Sequence, residues 1–128
     1  MYVRFIVLTP GRRPAPGLFR SDFCPDDDVT LPEWIRKAAR EHYAWFNDNL
    51  LIPRRLTVVS RRRHVYAGIC WFRHTAREHI SRARELALLL AEADRPTAML
   101  TTRHLGQILY CDEIQIVAKP DARTRVSA

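Results

Sequence analysis

Two short runs carry the side chains best suited to hold an anion: Arg73-His74-Thr75, followed by Arg77, and Thr101-Thr102-Arg103-His104. Arginine forks pair with carboxylate or phosphate through parallel N–H donors, and hydroxyls add neutral hydrogen bonds. An imidazole that titrates near neutrality could also pass a proton, which makes His74 and His104 the candidate acids or bases. The first run sits where a strand gives way to a helix, and the exposed N–H groups of a helix start favour negative charge. Neither run contains glycine, so no glycine-rich phosphate loop supports the site. The plainer reading is a capped helix start with solvated arginines. The Cys and His spacings match no familiar metal site, so neither metal nor cofactor is expected.

Residues 71–79, WFRHTAREH, echo residues 34–42, WIRKAAREH. The echo does not mark a duplicated unit. The first copy lies wholly within a predicted helix, whereas the second begins in a strand. Glu41 and His42 are adjacent, as are Glu78 and His79, so each pair diverges by about 100° on a helix and cannot close on one ligand. Both histidines are expected to be structural, half-buried and hydrogen-bonded.

The elements that must position these residues are legible from pattern. Residues 2–9 are β-branched and aromatic and predict a strand ended by Pro10-Gly11. Residues 10–30 are rich in proline and glycine and predict loop, with a single helical turn over 17–23. A first helix is predicted from Pro32 to Leu50, capped by Thr30, with Ile35, Ala39, His42, Phe46 and Leu50 on one face. A short edge strand over 56–60 and a strand over 67–72, apolar enough to be buried on both faces, come next. Thr75 and Glu78 have capping-box spacing at the start of a second helix. Its expected buried stripe is Ala76, Ile80, Ala83, Ala87, Leu90 and Ala91, and Pro96 ends it. Residues 97–103 predict another strand. After a turn at Leu105-Gly106, residues 107–118 form one strand bulged near Asp112 or two short ones.

The chain order β-α-β-α-β-β predicts an α/β fold, a single-domain two-layer sandwich. It has a mixed sheet of about four strands and two main helices, mainly on one face. The middle strand–helix–strand unit should be a parallel crossover and the last two strands an antiparallel hairpin. One domain is expected over 1–120, with 121–128 a frayed tail.

Composition bounds the function. The 128 residues carry a net charge of +7, and lysine occurs only at Lys37 and Lys119, so the excess is arginine. Either codon bias or selection for forked phosphate contacts gives such a skew. The charge favours an anionic partner, nucleic acid first and an acidic protein second. Arg54, Arg55, Arg61, Arg62 and Arg63, with Arg12 and Arg13, form the basic clusters, and nearby Tyr66 could stack on a base. No RNA-recognition, zinc-finger or helix-turn-helix pattern is present. Three cysteines, Cys24, Cys70 and Cys111, cannot all pair internally and imply free thiols in a reducing, cytoplasmic setting. No apolar run is long enough for a membrane span, so no membrane partner is expected.

From Trp45 onward the chain resembles a family of short bacterial proteins without an established activity. The resemblance rests on WFNDNL followed by PRR, then ICWF, TAREHISRARELALLL and GQILYCDEIQIVAKP. It implies a bacterial cytoplasmic domain and no catalytic residues; Cys111 and Lys119 stand where such members tend to carry acids. Three function classes remain open. One is a binding or accessory protein with an anionic partner. The second is a small enzyme on a phosphate-bearing, nucleotide-like substrate. The third is a protein–protein adaptor or oligomer subunit using Trp34, Trp45 and Leu88-Leu89.

Overall fold

A computed structural model describes residues 1–11, 16–19, 29–51, 57–59 and 65–126. The elements run β1 Tyr2–Val7, α1 Glu33–Asn49, β2 Thr57–Val59, β3 Val65–Ala67, β4 Ile69–Arg73, α2 Arg77–Glu92, β5 Thr97–Thr102, β6 Gln107–Cys111 and β7 Gln115–Lys119. The fold is α/β with two helices, but the sheet is larger and differently wound than its pattern implies. Five strands lie in the order β5-β1-β4-β7-β6, and β2 and β3 form a separate two-stranded sheet. Every neighbouring pair is antiparallel, so the expected mixed sheet of about four strands is corrected.

The strand–helix–strand unit β4-α2-β5 explains the difference. Its two strands do run the same way, but β1 lies between them, antiparallel to both. This is a split β–α–β unit. A helix is about 10 Å wide and strands are about 4.8 Å apart, so a crossover helix readily spans one intervening strand. The strand best suited to that slot is β1, whose residues from Val3 to Val7 are all buried. The final hairpin is also reassigned. It forms between β6 and β7, with an irregularity between Ile108 and Tyr110, while β5 and β6 lie at opposite edges of the sheet.

Alternation along the strands sorts two cores. Val3, Phe5, Val7 and Phe72 face Ile35, Ala39 and Phe46 of α1 and Ala83, Leu86, Ala87 and Leu90 of α2. On the other face Ile6, Ile69, Trp71, Leu100, Ile116 and Ala118 cluster with Leu105, and Val126 packs against them. Val126 and Thr124, in the segment expected as frayed tail, are therefore part of the packing. Thr124 is buried, and its hydroxyl accepts from the Asp121 N–H at 3.0 Å.

Both helices start later than expected and without side-chain caps. Pro32, not Thr30, is the N-cap of α1; its φ of -56 suits a helix entry. For α2 the N-cap is Ala76, not Thr75, because a turn from the Arg73 carbonyl to the Ala76 N–H closes first. The buried stripe of α2 is His79, Ala83, Leu86, Ala87, Leu89 and Leu90, which moves Ala91 to the surface. The helix ends in a Schellman turn, Arg95 N–H to Leu90 O and Asp94 N–H to Ala91 O, with Asp94 at φ 59.

Candidate functional site

The two expected anion-binding runs emerge at one end of the sheet. Tyr2 of β1 pairs with Arg73 of β4 on one side and with Thr102 of β5 on the other. Two interstrand spacings, about 10 Å, therefore separate the strand ends. His74, Thr75, Arg77 and Arg103 are exposed there, and Arg73 and His104 are half-buried.

Both half-buried side chains do structural work. The Arg73 Nε donates to the Asp112 carbonyl at 2.6 Å, and its backbone N–H to the Ile114 carbonyl at 2.8 Å, fastening β4 to the β6–β7 turn. His104 Nε2 lies 2.7 Å from Asp121 Oδ2, tying the β5–β6 turn to the segment after β7. The His104 hydrogen bond, helped by the Arg123 N–H, holds the Asp121 carboxyl below its usual range. Asp112 is held low too. Burial raises its pKa, but the backbone N–H groups of Gln115 and Ile114, the Tyr110 hydroxyl and the Gln115 amide outweigh that. These carboxylates accompany the cations, so the strand end is a mixed-charge surface.

The histidines of the echo are structural elements of α1 and α2. A ring nitrogen of His79 lies 2.8 Å from the Asn49 carbonyl, and the ring packs edge-on to Trp45 at 4.8 Å between centroids. His42 approaches Glu85 at 3.9 Å. Of the adaptor candidates, Trp34 and Leu88 are exposed, Leu89 is buried, and Trp45 is covered by His79 and by Arg82 at 4.8 Å.

Arg12, Arg13, Arg54, Arg55, Arg61, Arg62, Arg63 and Cys24 lie outside the described residues. The frame that carries the last three of these arginines is described. β2 and β3 pair as Thr57↔Ala67, Val58↔Tyr66 and Val59↔Val65, and only Gly68 separates β3 from the central strand β4. The chain joining β2 to β3 reads Ser60-Arg61-Arg62-Arg63-His64. The expected edge strand is thus one arm of a basic two-stranded ribbon rather than an edge of the main sheet.

One site has no counterpart in the sequence reading. β1 and β4 pair only at Tyr2↔Arg73 and Val3↔Phe72. Beyond that they part, and the far half of β1 pairs instead with residues 16–17, through Val7 N–H to Pro16 O and an Ile6↔Gly17 bridge. Arg4 reaches across the gap to donate to the Cys70 carbonyl at 3.3 Å. A cavity of about 400 Å³ opens here, between Phe5, Phe72 and Val117 of the sheet and Tyr43 and Phe46 of α1, with Leu50 just beyond the helix end. Cys70 and Gln115 form part of its wall, with the thiol donating to Gln115 Oε1 at 3.1 Å. Some of the Cys70 surface is open to the cavity, yet the atoms packed around it push its thiol pKa up to about 11. The one sequence signal for this site was Arg4, a charge in the middle of an otherwise apolar strand.

No family model, curated protein or solved structure matches the chain. Among the described residues no group of three or more His, Cys, Asp or Glu could hold a metal ion, and no helix is long and apolar enough to cross a membrane.

Proposed function

We propose that this chain is a small basic binding protein whose partner is anionic, with nucleic acid as the best fit. The observation that carries the reading is the β2–β3 ribbon. It stands apart from the main sheet, and the stretch from Ile52 to Ala67 holds five arginines, Arg54, Arg55, Arg61, Arg62 and Arg63, and no acid. A two-stranded ribbon fits the major groove of a duplex, and arginine forks suit phosphate. Exposed Arg77 and Arg103 at the strand ends supply further cations, with His74 beside them, although Asp112 and Asp121 offset them locally. The enzyme reading has less support, since His104 is tied to Asp121.

The test is fluorescence anisotropy with labelled duplex and single-stranded probes over a range of salt. Binding should weaken steeply as salt rises, and replacing Arg61, Arg62 and Arg63 by alanine should reduce the log–log slope by roughly 2 to 3, about 0.9 per lost phosphate contact. Absence of binding to every probe at about 50 mM salt would reject the reading, because the electrostatic contribution is strong there. A loss confined to an Arg77→Ala, Arg103→Ala variant would move the interface to the strand ends.

A further inference from the structure

We infer that the cavity between α1 and the parted strands β1 and β4 is a binding site for a small uncharged ring compound. The site shares no residue with the arginine ribbon, and the inference stands apart from the nucleic-acid reading.

Size and lining point the same way. About 400 Å³ falls within the range of small-molecule sites. Phe19, Tyr43, Phe46 and Phe72 contribute aromatic surface, with Leu50 and Val117 beside them. Phe19 and Leu51 line the cavity and are 43% and 66% exposed, which places its mouth beside them.

The polar groups of the wall narrow the ligand class. The Tyr43 hydroxyl donates to the Leu18 carbonyl at 3.0 Å, and Cys70 Sγ donates to Gln115 Oε1. Gln115 Nε2 donates to the Leu51 carbonyl and to Asp112 Oδ2. Arg4 is engaged on the Cys70 carbonyl and in a further interaction. A charged ligand would lose its hydration between mostly apolar walls, and the Tyr43, Cys70 and Gln115 groups it would meet are already bonded to the protein. An apolar ring loses little hydration and gains dispersion contacts with the aromatic side chains of the wall.

The opening is built into the backbone. A continuous β1–β4 ladder would close it, and the ladder stops after two pairs. Arg4 takes up the carbonyl exposed on β4, and residues 16–17 take up the edge exposed on β1. At Gly17 a Cβ would stand 3.3 Å from Arg4 Nη2, so a larger residue there would require the guanidinium to shift by a few tenths of an ångström. A ligand that binds the folded chain and not the unfolded one should stabilise the fold by mass action.

Indole is the probe, titrated into the full chain and followed by NMR. It should give saturable shifts and nuclear Overhauser contacts to the Val117 and Leu50 methyls and the Phe46 and Phe72 rings. It should bind at least about ten-fold more tightly than benzoate, whose carboxylate must be desolvated. Val117→Phe puts a ring into the cavity and should abolish these contacts while the backbone spectrum stays folded. If that variant does not fold, Leu50→Trp serves as the filled form, and the contact pattern in the unaltered chain decides by itself. No saturable binding up to the solubility of indole, contacts confined to other residues, or benzoate binding as tightly would overturn the inference.

Discussion

Cys70 shows how the environment of one atom sets behaviour that composition cannot. Its thiol lies between the parted strands, bonded to Gln115 and close to Arg4 and Asp112. Burial raises its pKa from 9.0 to about 11, the Arg4 charge opposes the shift and the Asp112 charge adds to it. Below pH 9 the thiol is protonated folded or unfolded, and stability is unaffected. Between about pH 9 and pH 11 the unfolded chain releases this proton and the folded chain keeps it, so stability falls as pH rises. The fall amounts to roughly 2 to 3 kcal/mol at the upper end. Urea unfolding at a series of pH values should show this decline in the native chain and a shallower one in Cys70→Ala. Equal slopes would mean that the folded state does not hold the thiol neutral. At Gly106, by contrast, backbone decides: φ is +89 and a Cβ would collide with the Lys119 carbonyl, so only glycine fits beside the end of β7.

Both helices were visible as elements because an apolar repeat of about 3.6 residues and bracketing prolines are local signals. Their ends were not. Thr75 fails as a cap because the Arg73–Ala76 turn, set by where β4 must stop, reaches the helix first. The end of α2 has a testable cost. Asp94 holds the left-handed position of a Schellman turn at φ 59, where glycine is easier, and it puts a negative charge at the negative end of the helix. Asp94 is exposed, so Asp94→Gly should relieve both effects without disturbing the core. A gain of about 0.5 to 1 kcal/mol is expected, read as a higher urea midpoint at unchanged slope. An unchanged or lower midpoint would show that Asp94 has a role beyond closing the helix.

At the scale of the molecule, the sheet has two buried faces covered by different means. The helices cover one, while Leu105 and Val126 pack on the other beside Trp71 and Leu100, both fully buried. Removing residues 121–128 should therefore cost about 2 to 3 kcal/mol, from the burial of Val126 and the hydrogen bonds of buried Thr124. The truncated chain should melt earlier than the full chain. Unchanged melting would mean that the segment lies on the sheet without stabilising it. The ribbon and the cavity belong to this scale too, since each depends on how far β4 stays with its neighbours. At one end β4 leads through Gly68 into β3, and midway it parts from β1.

Helix and strand positions, the arginine excess, the apolar character of β1 and the structural nature of His79 all follow from short windows of residues. Hydrophobic period and charge are carried by neighbours in the chain. Strand order is not. Alternation tells which face of a strand is buried, but the backbone bonds that join strands are the same for any partner. Only packing put β1 between β4 and β5 and sent the hairpin to β6 and β7, whereas the shared direction of β4 and β5, which brings the two Arg-His runs to one end, follows from the strand–helix–strand order. The cavity is further still from any local signal. Its wall draws on β1, residues 17–19, α1, β4 and β7, and no window of sequence contains them together. The tertiary structure decided it because a void exists only where separate elements fail to meet.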